Sequence, residues 1–208
     1  MKTLAAQTWA GVRILLVLTV IVGILYPLAT WAVSRLPGLR SNAEGSVVTV
    51  DGRAAGSGLI GVDPVAADPS HDPWFHTRPS ASASQPLGQG DPSTSGGSNK
   101  GAADPGLVAT VRQRQEAIAR REGVAPGQVP PDAVTASGSG VDPGISPPYA
   151  DLQVPRVARE NRLPEDLVRR LVADNTTGRG LEVLGEPAVN VLRLNLAVQA
   201  AATGRPAP

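Results

Sequence analysis

The 208-residue sequence has no cysteine, which excludes disulfides and thiolate-bound metals. It has only two histidines, His71 and His76, so few bases are available to activate a nucleophile. Aromatic residues make up 3%: Trp9, Tyr26 and Trp31 lie near the start, leaving Trp74, Phe75 and Tyr149 for the rest. A core beyond the first segment must therefore consist mainly of Leu, Val, Ile and Ala. No acid occurs in residues 1–34, which carry Lys2 and Arg13, and the overall net charge is +1. The remainder sums to about −1, without the basic excess of a nucleic-acid binder. No internal repeat is visible. Glycine (23) and proline (20) are abundant instead, so loops and turns should be extensive.

Ile14 to Ser34 contains no charged residue and is mostly aliphatic. At ~1.5 Å per residue such a helix spans ~30 Å, the apolar thickness of a bilayer. Trp9 and Trp31 fit the two membrane interfaces, and Gly23 and Pro27 are tolerated in a membrane helix. The run exceeds a signal peptide's apolar core of ~7–15 residues, and Ala32-Val33-Ser34 is a poor cleavage site. It therefore predicts an uncleaved anchor. Lys2, Arg13 and the α-amino group nearly balance Arg35 and Arg40, leaving orientation open on charge alone.

The body is expected to be α+β: a single transmembrane helix (14–34), after a short tail (1–13), precedes one mixed domain (35–208) with long Gly/Pro-rich loops. Residues 35–104 should be loop-rich, with short strands at Ser46–Val50 and Leu59–Val62. Residues 105–201 should be helix-rich. Asp104 and Pro105 predict a helix start, and Gly123 its end. Leu107, Val108, Val111 and Ile118 form its apolar face, leaving Arg112, Arg114, Arg120 and Arg121 for solvent. Further helices are expected at Gln153–Arg162, with Pro155 in the first turn, from Pro164, and at Val191–Ala201 capped by Asn190; a strand is expected at Leu181–Leu184.

Candidate chemistry is sparse. Gly56-Ser57-Gly58-Leu59-Ile60-Gly61 matches G-x-G-x-x-G, but Asp63-Pro64 follows where a dinucleotide site needs a helix. Asp63, Asp68, Asp72, His71 and His76 could ligate a metal, yet their spacing matches no dedicated site. There is no G-x-S-x-G elbow and no Ser-x-x-Lys, which argues against a hydrolase. Ser95-Gly96-Gly97-Ser98-Asn99-Lys100-Gly101 resembles an anion nest without the P-loop pattern and reads as a shaped turn. Asn175-Thr176-Thr177 is a glycosylation sequon, informative only in a eukaryotic secretory pathway. Neither cofactor nor metal binding is expected of this chain.

Seven segments in order resemble the C subunit of the Kdp-type potassium-transporting P-type ATPase. These are Tyr26-Pro27-Leu28; Gly56-Ser57 with Leu59-Ile60-Gly61; Trp74-Phe75-His76-Thr77-Arg78-Pro79-Ser80-Ala81; Ser95-Gly96-Gly97-Ser98-Asn99; Val134 to Pro147, including Thr135, Ser137 and Asp142; Gln153-Val154-Pro155-Arg156-Val157-Ala158; and Val189 to Ala197, including Asn190 and Asn195. The resemblance implies a non-catalytic subunit of an ATP-driven K⁺ importer in the bacterial inner membrane, with the N-terminus cytoplasmic and the body outside. Its partners would be a channel-like K⁺ subunit, a P-type ATPase subunit and a further small membrane subunit. Those partners would handle ATP, Mg²⁺ and K⁺. Its role would be assembly and stabilisation, with a proposed effect on ATP affinity. The Asp63–Pro73 loop departs from the family pattern, and no family role is implied for its histidine. Physically, Arg78 could anchor a loop through hydrogen bonds, and Asn99, Asn190 and Asn195 could tie backbone or partner groups. Trp74 and Phe75 are candidate core or interface anchors, and the Gly23–Trp31 face a helix contact in the membrane. An anchored enzyme would need a convergent polar pocket; a ligand-binding or sensor domain would bind a small molecule without partners.

Overall fold

The computed structural model describes residues 2–205; the Met1 α-amino group and the Lys2 side chain, counted in the charge balance, and the last three residues of the 35–208 segment lie outside it. The chain forms two compact units, divided after Ser46.

The first unit is built on α1 (Lys2–Val20), a π-helical turn (Ile21–Leu25) and α2 (Tyr26–Ser34), continuous over Thr3–Ser34 and long and apolar enough to cross a membrane. The wide turn has a local cause. Pro27 has no N–H, and its ring crowds the carbonyl four residues back, at Gly23. The turn accommodates this by pairing Tyr26 N–H with Ile21 O. The Thr19 and Thr30 hydroxyls bond carbonyls of the preceding turn, Leu15 O at 2.8 Å and Pro27 O at 2.9 Å, so they add no unsatisfied polar group to the span. Arg13 lies 6.0 Å from the Trp9 ring and Arg35 5.5 Å from Trp31, a cation over an aromatic near each end. A short α3 (Arg40–Ala43) follows, with Glu44 bonded to Arg35 and Arg40.

The second unit opens on a hairpin, β1 (Val47–Val50) and β2 (Arg53–Ser57). Asp51 and Gly52 both have positive φ, the conformation of a tight two-residue hairpin turn. The first strand was expected, but the second is not at Leu59–Val62. That segment follows the hairpin as a turn and irregular chain, with Leu59, Ile60 and Val62 exposed. The Asp-Gly turn sends the chain back immediately, so the partner strand begins at Arg53.

Residues 58–104 contain no helix or strand. Then α4 (Pro105–Glu122) starts where Asp104 accepts Leu107 N–H at 2.8 Å and stops at left-handed Gly123. After α5 (Pro131–Val134) and β3 (Gly144–Ile145), α6 runs from Pro147 to Asn161. It begins six residues before the expected start because Ser146 caps it, accepting Tyr149 N–H at 3.2 Å, with Pro147 in the first turn. Pro155 lies inside α6 rather than in its first turn; it is exposed, and its missing N–H forfeits one helical bond.

Next come α7 (Glu165–Asp174), β4 (Thr176–Thr177), β5 (Ala188–Asn190) and α8 (Val191–Thr203). Asn190 caps α8, accepting Arg193 N–H at 3.1 Å. The order β3–β5–β4 is antiparallel throughout. Leu181–Leu184 is a turn rather than a strand: Leu181 and Glu182 have positive φ, and only Gly180 and Leu184 pair across it. The domain is α+β, as expected. Its core packs α4, α6, α7 and α8 over the small sheet and is largely Val and Ala, with Phe75 and Tyr149 its buried aromatics.

Candidate functional site

Residues 72–79 form an extended strap that belongs to neither sheet, yet much of it is buried. A buried backbone must find hydrogen-bond partners, and here side chains supply them. Phe75 is fully buried; its N–H donates to Asn195 Oδ1, and its carbonyl accepts from Asn195 Nδ2, each at 2.8 Å. The Asn195 amide thus does what a neighbouring strand would do. Gln153 does the same for His76, accepting its N–H at 2.8 Å and donating to its carbonyl at 3.4 Å. Arg156 Nη1 donates to the Asp72 and Trp74 carbonyls at 2.6 and 2.9 Å, and Asn161 Nδ2 to Pro73 O at 2.8 Å. Gln153, Arg156 and Asn161 all project from α6, so one helix face and one α8 amide together shape the strap.

The clamp is anchored in charge. Glu122, whose side chain is fully buried at the end of α4, accepts from Arg121 Nε at 2.7 Å and Arg156 Nε at 2.9 Å. Arg121 Nη2 donates to Tyr149 OH at 3.1 Å. Burial pushes the Tyr149 hydroxyl pKa up, with the Arg121 charge opposing. Arg121 is therefore not in solvent as expected, and neither is Arg114, which is buried. Both have acceptors that the helical pattern does not reveal.

His76 sits between two carboxylates, Nε2 at 2.6 Å from Asp72 and Nδ1 at 3.1 Å from Asp63. An ionised carboxylate only accepts, so both contacts are hydrogen bonds together in the doubly protonated ring. Asp63 also accepts Thr77 N–H at 2.8 Å. Burial raises the Asp72 carboxyl pKa, but the His76 hydrogen bond and charge, Trp74 N–H and Arg156 more than offset it and hold it at about 2. Since this folded value lies below the ordinary 3.8, the stabilisation is complete above about pH 4 and lost as pH falls toward 2. The difference corresponds to about 2 kcal/mol. Acid titration of the purified chain should show this loss, and Asp72→Asn should flatten the curve in that window while lowering stability at pH 7.

The five-residue Asp/His group thus divides. Asp68 and His71 pair at 3.0 Å in an exposed turn. In the inner set the imidazole lies between Asp63 and Asp72 instead of the three converging on one point. Among the described residues no cluster of three metal-ligating side chains forms a metal site. Among the described residues no hydroxyl is bonded to His76: Thr77 Oγ1 bonds Asp63, Ser80 pairs with Ser82, and Ser137 with Ser139. Ser70 Oγ does lie 3.0 Å from His71 Nδ1, but Asp68 meets that same ring nitrogen and Ser70 Oγ donates to Asp68, whereas a triad sets the acid and the nucleophile on opposite nitrogens.

The other segments meet the strap from its far end. The Arg78 guanidinium reaches Asp142 at 3.3 Å and Thr135 O at 3.4 Å, joining the strap to residues 135–142. Ser137 N–H donates to Pro79 O at 3.0 Å, and Gly96 N–H to Ser139 O at 2.8 Å. Gly97 packs against Gly138. Asp142 also accepts Gly144 N–H at 3.0 Å, and Asn190 Nδ2 donates to Gly58 O at 2.8 Å. A cavity of about 20 Å³, room for one water, is lined by residues including Asp63, His76, Arg78, Asp142 and Tyr149.

Gly61 N–H donates to Val141 O at 2.8 Å, and a Cβ there would lie 2.2 Å from Asp142 O. Gly61→Ala should destabilise the chain by about 1–3 kcal/mol by forcing backbone apart; an unchanged thermal midpoint would contradict this close approach.

The structure therefore gathers Gly61, Trp74, Phe75, Arg78, Pro79, Ser80, Gly96, Gly97, Thr135, Ser137, Asp142, Arg156, Asn190 and Asn195 around one scaffold. It leaves others out. Tyr26 and Pro27 belong to the long apolar N-terminal helix, Pro155 faces solvent, and the exposed Asn99 amide has no partner among the described residues. The sequence singles out Asp63 and His76 only as possible metal ligands and Gln153 only as part of a motif; Glu122, Tyr149 and Asn161 are not among its candidate site residues. The α6 spacing of Gln153, Arg156 and Asn161, a polar row on an otherwise apolar helix face, was the available signal.

Comparison with known proteins bears on the whole chain. Residues 8–200 match the KdpC family, described as K⁺-transporting ATPase, c chain. Similar proteins include the potassium-transporting ATPase KdpC subunits of Kineococcus radiotolerans, 47% identical over 97% of both chains, and Gemmatimonas aurantiaca, 46% identical over 91% of this chain and 90% of that one. The subunit from Mycobacterium bovis is 45% identical over 92% of this chain and 97% of its own.

Proposed function

The chain belongs to the KdpC family, the c chain of K⁺-transporting ATPases, and on that premise we propose that it is a non-catalytic subunit that assembles and stabilises an ATP-driven K⁺-import complex. The observation that carries a structural role is the clamped strap. The polar side chains that converge on it bond its backbone or neutralise one another, which fixes a shape.

In this reading the apolar helix crosses the bacterial inner membrane with the N-terminus in the cytoplasm, and the body stands outside. A channel-like partner carries K⁺, a P-type ATPase partner handles ATP and Mg²⁺, and a further small membrane subunit completes the complex. ATP and the body are then on opposite membrane faces, so any effect on ATP affinity passes through the partners.

The reading is tested by recovering C-terminally tagged chain from K⁺-starved membranes in mild detergent and identifying what accompanies it by mass spectrometry. A P-type ATPase subunit and a channel-like subunit at fixed stoichiometry are expected. A chain recovered alone would overturn the reading.

A further inference from the structure

Three guanidinium groups are sunk into the domain, and their charges are met differently. Arg121 and Arg156 share Glu122. Arg114, 6% exposed, has no acidic partner among the described residues. Its Nε donates to Pro86 O at 2.9 Å and its Nη1 to Val134 O at 3.2 Å, while Nη2 has no acceptor among the described residues. Carbonyls satisfy N–H groups but do not neutralise a cation, and a buried unneutralised charge is costly. Burial accordingly lowers the Arg114 pKa, with no acid to oppose it.

Arg114 lines a cavity of about 300 Å³. Lys100 stands at the same cavity, with the hydroxyls of Ser84, Ser98 and Thr110. Lys100 has only a loose contact, 3.8 Å, with Asp104, whose carboxylate is engaged in capping α4. The Ser84 and Ser98 hydroxyls have no partner among the described residues. Two cations, Arg114 with no acid beside it among the described residues and Lys100 with a single acid at 3.8 Å, together with two free hydroxyl donors suit an oxyanion.

We propose that this cavity is an oxyanion site, holding a carboxylate or phosphate group between Arg114 and Lys100. The group comes either from an acidic side chain of a partner subunit or from a free anion; the partner source rests on the subunit reading, the free-anion source does not.

The test has two arms. Full-length chain in detergent is melted in inorganic phosphate, acetate or chloride at equal ionic strength. Phosphate or acetate should raise the midpoint above the chloride value, with at least threefold weaker apparent affinity in Lys100→Gln and loss of the effect in Arg114→Gln. Lys100 is exposed, so its variant reports even if Arg114→Gln fails to fold. In the second arm a photocrosslinker replaces Ser84 in the assembled complex. An adduct to an acidic segment of a partner identifies the partner as the source; a specific anion effect without an adduct identifies a free anion. The proposal is overturned if phosphate and acetate act like chloride and no such adduct forms in a complex that still co-purifies. Failure of co-purification would instead indict the subunit reading.

Discussion

Arg156→Met is expected to destabilise the folded chain by about 3–5 kcal/mol, the cost of removing one partner from a buried ion pair. Glu122 would keep Arg121 but lose two guanidinium hydrogen bonds, at 2.9 and 3.2 Å, in full burial. The Asp72 and Trp74 carbonyls would lose their donor too. Urea unfolding of the purified chain in detergent, followed by circular dichroism, reads the loss. Removing the other two charges as well, in Arg121→Met/Glu122→Leu/Arg156→Met, should recover part of it, because no stranded charge is left while the two strap carbonyls remain unserved. A triple variant no more stable than Arg156→Met alone would show that the ion pair is not what Arg156 contributes.

Asn195→Leu should be nearly as damaging. The two side chains share the same branched skeleton of four heavy atoms, so the change removes polar atoms rather than leaving a cavity. It orphans the N–H and C=O of a fully buried residue. At about 1–3 kcal/mol for each of the two unsatisfied groups, the expected loss is about 2–6 kcal/mol. Hydrogen exchange gives a local reading: the Phe75 amide should be protected in the wild-type chain and lose that protection in Asn195→Leu. Asn99→Ala, which removes an exposed amide without a protein partner, should leave it unchanged. Equal protection in all three chains would mean that the strap is held by something other than this amide.

These effects were only partly visible in the sequence, for physical reasons. Caps act over three or four residues, so Asp104 with Pro105, Gly123 and Asn190 marked helix ends that the structure reproduces. Where two local signals competed, the choice failed. Pro155 suggested a first turn and displaced attention from Ser146-Pro147, the real start of α6. Asp51-Gly52 forms the hairpin turn, so β1 pairs with Arg53–Ser57, and the aliphatic residues at Leu59–Val62 have no sheet to join. Leu181–Leu184 is likewise aliphatic but turns back on itself. Arg114 and Arg121 sit among other arginines on α4, and periodicity alone cannot distinguish a solvated guanidinium from one sunk onto carbonyls or a carboxylate.

The strap itself was legible as a motif but not as a mechanism. Asn195 and Phe75 are separated by 120 residues, and His76 and Gln153 by 77, so no local pattern pairs them. The family resemblance drew attention to Arg78, Arg156 and Asn195. Their division of labour, carbonyls for the arginines and a peptide-like pairing for the asparagine, follows only once α6 and α8 are folded against residues 72–79.

The central claim is that this chain acts through assembly rather than through chemistry of its own. It is tested most directly by K⁺-stimulated ATPase activity in membranes from cells that have the chain, lack it, or lack it and receive it again in trans. The account predicts that activity and complex recovery fall together when the chain is absent and return together when it is restored. Full K⁺-stimulated activity from an intact complex without the chain would contradict it.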